Sequence, residues 1–329
     1  YGERNYYRDS DVINYYFKDK NKLNIIIAIN NDEIVSNYSF FKTEINISNT
    51  LYPMRWGVNA STLISHRNQG LGKLCFNKAR NYDGIFGVFG FSKKVALFYK
   101  ENNFNLFNSL ANKYVMILNS NYSIFINNIK KLYPQESLNI TKNSLSSNMN
   151  QKNKIGRKTL KNKTCNFTLR SKKALEFRYF NFSTDEYEKN EMNLDGDYAF
   201  IITKRVKILP TDFYATKIID IYGNREFIQN ILIEKIKECK SRGDLYIDFC
   251  YIGNIYQDVF NNLEFEKLTQ KQFKYFPELV NPFIFKDNNY RIGLFSANHS
   301  SLISNFNKGN SYFTRYDSDR DRISKFSWN

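Results

Sequence analysis

A glycine-containing turn between an extended run and a helical one constrains this chain more than any other feature. Ser65-His66-Arg67-Asn68-Gln69-Gly70-Leu71-Gly72-Lys73-Leu74 follows a strand-like segment, Tyr52 to Leu63, and opens a helix predicted over Leu71 to Arg80. The first N–H groups of a helix have no partner inside it and carry the positive end of its dipole. Without side chains at Gly70 and Gly72, an anion can come close to that backbone. The turn is therefore suited to a pyrophosphate, although a plain tight turn has the same letters. The order around it is strand, turn, helix, strand (Gly84 to Phe89), helix, strand (Leu106 to Leu118), which is an α/β arrangement with a crossover.

A second segment follows the turn at a short distance: Ser92-Lys93-Lys94-Val95-Ala96-Leu97-Phe98-Tyr99-Lys100-Glu101-Asn102-Asn103-Phe104. It reads as a short helix closed by Asn103, a residue that tolerates a left-handed backbone. Together, Arg67 to Gly72 and Ser92 to Phe104 resemble the two signatures of the GNAT superfamily, the acyl-CoA-dependent N-acyltransferases. The first matches Gln/Arg-x-x-Gly-x-Gly/Ala. The second matches a helix with Ala96 and Tyr99 three apart, where Asn103-Phe104 stands in place of the usual Gly-Phe.

The resemblance implies a fold and a set of roles. The fold is α/β, with two tandem GNAT-like units, each a mixed, mostly antiparallel sheet flanked by helices. Acetyl-CoA would be the donor, held by Arg67, Asn68, Gln69, Gly70, Leu71, Gly72 and Lys73. Leu63 and Ile64 would pair with the pantetheine amides, and Ser92 and Ala96 would lie along the cofactor. Ser92 is shorter than the Asn common in the family. Tyr99 would be the acid that protonates the departing thiolate, and a backbone N–H near Asn59 or Ala60 would serve the oxyanion. The family often carries a Glu on the strand before the turn. Here that strand, Tyr52 to Asn59, holds no carboxylate. Glu44 on the neighbouring strand, a water chain, His299 or an acid among Asp317, Asp319 and Asp321 remain as bases.

The rest of the chain supports a division into parts. Residues 1–135 form the acyl-CoA-binding unit, 136–168 a polar linker or loop rich in Asn, Lys and Ser, and 169–329 a second unit of the same order. In the second unit Asp197 to Ile208 and Thr216 to Ile221 read as strands, Glu226 to Lys240 as an amphipathic helix, and Leu245 to Tyr251 as a strand. Its counterpart of the turn, Ile221-Tyr222-Gly223-Asn224-Arg225-Glu226, has one Gly, which predicts a degenerate unit that shapes an acceptor site rather than holding CoA.

Composition sets the remaining limits. The formal net charge of +16, from 48 Lys and Arg against 32 Asp and Glu, favours phosphate-bearing partners. The tandem arrangement and the segment from Tyr312 to Arg322 resemble acyltransferases of bacterial surface-sugar pathways, and that resemblance implies an amino-sugar acceptor, nucleotide-linked, in surface-glycan synthesis. Arg55 and Trp56 could stack and grip that acceptor, or Trp56 could be core. Arg315 and Asp317 could bind it, or pair with their neighbours. The Asp317-Ser318-Asp319-Arg320-Asp321 run lacks the Gly and the Glu of a calcium loop, since Arg322 and Trp328 stand there, so no metal is expected. The four cysteines have no metal-ligand spacing, which favours a reducing cytoplasm. No apolar run is long enough to span a bilayer. Two other functions stay open: an aminoacyltransferase using charged tRNA, for which the expected coiled-coil arm is missing, and a non-catalytic protein that keeps the fold.

Overall fold

The computed structural model describes residues 10–91, 93–107, 111–122, 166–180, 187–208, 211–269, 272, 276, 291–304, 306, 311–314 and 317. Most of the expected linker, 136–168, lies outside these residues. So do Ser92, Arg315, Asp319 and Asp321.

The first half opens with α1 (Ser10–Phe17), then β1 (Ile25–Asn30), β2 (Glu33–Ile47) and β3 (Thr50–Thr62). Asn31 and Asp32 both have positive φ, 48° and 62°, and these residue types make the two-residue hairpin between β1 and β2 inexpensive. Next come α2 (Leu71–Arg80), β4 (Ile85–Phe89), α3 (Lys93–Glu101), β5 (Asn105–Phe107) and β6 (Asn112–Ile117). The second half contains β7 (Asn166–Thr168), the helical turns α4 (Lys172–Leu175) running on to Phe180, β8 (Tyr187–Leu194), β9 (Asp197–Lys207) and β10 (Tyr214–Gly223). It continues with α5 (Arg225–Ser241), β11 (Tyr246–Tyr251), α6 (Gln257–Asn262), β12 (Glu266–Lys267), β13 (Ile292–Phe295), α7 (Ser300–Ser304) and β14 (Ser311–Tyr312).

These strands form two large mixed sheets among the described residues. One has the order β14-β7-β2-β3-β4-β13-β5, with β1 also on β2; the other has the order β8-β9-β10-β11-β6-β12. In each, a long antiparallel hairpin feeds a strand that runs parallel to the next through a helical crossover: β3 to β4 through α2, and β10 to β11 through α5.

The expected single strand from Leu106 to Leu118 is corrected here. It is two strands in different sheets. β5 lies at the edge of the first sheet, whereas β6 inserts between β11 and β12 of the second, pairing Asp248 with Val115 and Glu266 with Val115. In return, β13 inserts between β4 and β5 of the first sheet, pairing Ile292 with Phe89 and with Phe107. Each sheet is thus completed by a strand from the other half of the chain.

Helices cover both faces of each sheet, with α2 and α3 together on one face of the first and α5 and α6 together on one face of the second. Cys75, Phe76 and Ala79 of α2 and Tyr99 of α3 bury against Tyr38, Phe40, Phe86 and Val88. Burying a side chain of the size of Phe76 contributes about 2 kcal/mol. The α5 residues Ile228, Ile231, Leu232 and Ile236 pack likewise against β9, β10 and β11. The opposite face of the first sheet carries Met54, Trp56 and Ile292, packed with Cys250, Ile252 and Phe313 from the second half. The two halves share one core there.

Candidate active site

The site begins where β3 and β4 part. They pair from Met54 with Ile85 to Gly57 with Val88, and no pair follows. On its other side β3 stays bonded to β2, but the register slips between Ser39 and Phe40, which leaves Val58 as the extra residue of a bulge. Beyond it, Asn59 to Thr62 keep one edge of backbone N–H and C=O groups turned away from β2, with no strand against it among the described residues. The Nδ2 atom of Asn59 is buried at this point and has no hydrogen-bond partner among the described residues. A buried orphan donor costs free energy unless something satisfies it.

The chain then turns into α2. Ile64–His66 form a short 3₁₀ turn, Arg67 is extended, and Asn68 has φ 64°. Gly70 caps the helix in the left-handed region, φ 78°, a conformation that Gly adopts without steric cost. No side chain caps this helix start. The position a Cβ would take at Gly70 has no described atom within 4 Å, so the capping residue itself borders open space. Arg67, Asn68, Gln69 and Gly70 are all exposed. The Arg67 Nε donates to the Thr62 carbonyl at 3.3 Å and the Gln69 Nε2 to the Ser65 carbonyl at 3.4 Å, so the loop is braced by its own side chains. Lys73 is exposed on the first turn of α2 and adds a cation beside the uncapped amides.

The expected strand pairing through Leu63 and Ile64 is corrected. β3 ends at Thr62, the Leu63 N–H donates to the Val35 carbonyl at 2.9 Å, and Ile64 belongs to the 3₁₀ turn. The open edge is Val58 to Thr62 instead.

Tyr99 lies in the apolar layer above this opening, with its ring against Phe76, Phe91 and Phe104. Its hydroxyl is hydrogen-bonded to that of Tyr38, and burial pushes its phenol pKa up while the Tyr38 bond works the other way. Tyr38 pairs with Ala60 across the sheet, and its hydroxyl occupies the space where Gly57 has no side chain. The Tyr38–Tyr99 pair therefore sits at the point where β3 and β4 separate. Tyr38 was not visible as a site residue in the sequence. Only its register opposite Ala60 and the room left by Gly57 bring it in. Ala96, one turn before Tyr99, is half-buried on the same helix.

Other sequence-expected residues fall elsewhere. Glu44 is exposed and pairs with Pro53, and His299 packs its ring on Tyr52 at 5.2 Å. Both lie at the start of β3, at least five residues and so roughly 15 Å from the bulge. They do not converge with Tyr99. Trp56 is fully buried, and its Nε1 donates to Thr168 Oγ1 at 3.3 Å, so it is core rather than a stacking platform. Arg55 donates to the Ala79 carbonyl at 2.8 Å and lies over the Tyr82 ring at 3.9 Å, which ties it to the end of α2 rather than to a ligand. Asp317 is buried in an ion pair with Arg170 at 3.0 Å, which also pairs with Asp220 at 2.7 Å. Its expected role in acceptor binding is replaced by a structural one. Among the described residues no group of three or more His, Cys, Asp or Glu could hold a metal, and no helix is long and apolar enough to cross a membrane.

The matching corner of the second sheet is built differently. β10 and β11 pair from Thr216 to Ile218 and then part. The Tyr312 hydroxyl accepts the Ile221 N–H at 3.1 Å and lies 2.6 Å from the Ile221 carbonyl, while the Tyr256 hydroxyl accepts the Gly223 N–H at 3.1 Å. The start of α5 is capped by Asn224, whose Oδ1 accepts from Glu226 N at 2.9 Å and Phe227 N at 3.4 Å. Gly223, at φ 117°, is packed so closely that a Cβ would collide with the Tyr198 carbonyl.

No protein-family model and no curated protein matches the sequence. Among solved structures, the chain is similar to a GCN5-related N-acetyltransferase from Kribbella flavida at 11% identity and a TM-score of 0.44, over 81% of this chain and 58% of that one. It is similar to a GCN5-related N-acetyltransferase from Anabaena variabilis at 8% identity and 0.44, over 83% and 62% of the two chains. It is also similar to Saccharomyces cerevisiae N-myristoyltransferase with bound myristoyl-CoA, at 8% identity and 0.41, over 80% and 67%. The chain spans about three fifths of the length of those two acetyltransferases. At such identities and scores the likeness fixes neither a family nor a substrate for this chain.

Proposed function

We propose that this chain is an acyl-CoA-dependent N-acyltransferase built from two tandem GNAT-like units, in which only the first holds the donor. One observation carries the reading: an uncapped, exposed helix start continues directly into an unpaired strand edge, with a buried tyrosine pair at its far end. That sequence of features suits a diphosphate, an extended amide chain and a thioester, in that order. The residues present fit such a ligand, since Asn59 Nδ2 is an orphan at the edge and Gly70 borders open space.

Bound there, a thioester supplies an activated acyl carbon. The chain's own residues do the rest. The amides of Leu71, Gly72 and Lys73 face the diphosphate. The edge from Val58 to Thr62 aligns the amide chain by strand-like hydrogen bonds. An N–H near Asn59 or Ala60 stabilises negative charge on the acyl oxygen. Tyr99 keeps its proton because burial raises its pKa, and with Tyr38 donating to its oxygen, its own O–H is left to protonate the leaving thiolate. The amine attacks directly in a ternary complex: its bond to the acyl carbon forms as the carbon–sulfur bond breaks, and its surplus proton leaves to a water chain. Cys75 is buried at 3% exposure and its thiol pKa is raised by burial, which suits core packing and not a nucleophile.

The narrower reading is transfer of an acetyl group to an amino sugar carried on a nucleotide, in bacterial surface-glycan synthesis. The net charge of +16 supports a phosphate-bearing acceptor. The buried thiols of Cys75 and Cys239 support a cytoplasmic setting.

The test is turnover of acetyl-CoA with a panel of amines and nucleotide amino sugars, read by mass spectrometry. The expected outcome is N-acetylation of at least one amine, with Tyr99→Phe lowering kcat by about a hundredfold at unchanged CoA affinity. Full turnover by Tyr99→Phe would remove Tyr99 as the acid. Absence of CoA binding would remove the reading itself.

A further inference from the structure

The α1 side of the first sheet holds a cavity of about 740 Å³, within the range of small-molecule sites. Its walls are aliphatic: Ile13 of α1, Leu23 just before β1, Ile27 and Ile34 of the β1–β2 hairpin, and Leu63 beyond β3. Leu23, Ile27, Ile34 and Leu63 are between 37% and 53% exposed, so a good part of the molecule's exposed large apolar surface is gathered at one place. Clusters of this kind mark binding sites, because scattered exposed side chains would carry no such bias. Among the described residues no aromatic side chain lines the cavity, so the described walls offer no platform for a nucleobase or a sugar ring. Its polar lining includes Ser36, Ser39 and Ser61, with Lys22 also on the wall. Ser61 belongs to the open edge of β3 and Leu63 follows it directly, so the cavity adjoins the strand edge assigned to the donor.

We infer that this cavity binds an aliphatic chain, which enters the reaction either as the acyl group of the donor or as the tail of the amine acceptor. The inference rests on the reading of the Val58 to Thr62 edge as the donor site. Flexible aliphatic walls accept methylene chains by area alone, and each buried CH₂ strengthens binding by roughly fourfold.

The experiment compares ligands that differ only in chain length. In the donor arm, calorimetry measures CoA, acetyl-CoA and dodecanoyl-CoA. In the acceptor arm, KM is measured for propylamine and dodecylamine with acetyl-CoA. The expected result is a preference of at least a hundredfold for the long chain in one arm, which identifies the source. Ile27→Asp and Ile34→Asp, both at exposed positions, should abolish that preference while CoA itself binds as before and thermal unfolding is unchanged. Equal affinities for short and long chains in both arms, with CoA bound normally, would overturn the inference and leave the proposed function standing. If CoA does not bind, the proposed function falls, and direct binding of dodecylamine with and without Ile27→Asp still decides the cavity.

Discussion

Two corners of this molecule have the same plan and opposite contents. In both, a strand separates from its parallel neighbour and runs into a helix. At Gly70 the helix start is uncapped and solvent-facing; at Asn224 a side chain satisfies the first amides. Beyond Gly57 the strand edge has no strand against it among the described residues, whereas beyond Ile218 the hydroxyls of Tyr312 and Tyr256 serve the backbone of Ile221 and Gly223. The chain thus uses its own groups in the second corner for the bonds that a ligand would make in the first. Unsatisfied backbone groups are costly inside a protein and cheap at a wet surface, so a corner is either plugged and buried or open and available.

The sharpest way to break this contrast is to close the open corner. Gly70→Asp sets a carboxylate before the α2 amides, in a left-handed position that Asp tolerates at a cost of about 1 kcal/mol. CoA affinity should fall by at least a hundredfold, roughly 3 kcal/mol, in a titration, while unfolding shifts by only a few degrees.

The second corner should respond in stability alone. Asp220 is buried beside Arg170 and Asp317; burial raises its pKa, against the pull of Arg170, from an ordinary 3.8 to about 6. The folded state then holds a proton that the unfolded chain has lost, so this group's contribution is complete below pH 3.8 and disappears as pH rises towards 6. The loss is on the order of 3 kcal/mol. Asp220→Asn, which stays neutral, should therefore gain stability relative to the parent between pH 4 and 7 in denaturant titrations. A difference that does not change with pH would contradict the assignment. Tyr312→Phe removes the hydroxyl that accepts the Ile221 N–H and donates to the Ile221 carbonyl at 2.6 Å, and should cost about 1–3 kcal/mol with CoA affinity unchanged. Asn224→Ala removes the cap of α5 for about 1 kcal/mol and should likewise leave CoA binding untouched.

The sequence reading and the structure agree where the signal is local. The helix over Leu71 to Arg80 and the left-handed Asn103 follow from period and residue type. The Gly70 turn could be read for the same reason. What could not be read depends on distant partners. Nothing near Asn112 says that this strand leaves for the other sheet, because a buried strand looks alike in either. Trp56 looks like an acceptor platform until Thr168, more than a hundred residues later, is found at its indole N–H. Asp317 sits in a run that reads as an acceptor site or as charges pairing with their neighbours, yet it meets Arg170, which also holds Asp220, in the core. Glu44 and His299 have suitable chemistry, but β2 runs antiparallel to β3 and carries Glu44 to the far end.

The most direct test is a crystal structure of the protein with coenzyme A. The account predicts the diphosphate against the amides of Leu71, Gly72 and Lys73, the pantetheine along Val58 to Thr62, and the sulfur beside Tyr99. Coenzyme A at the Asn224 corner, or absent from the Gly70 corner at saturating concentration, would contradict it.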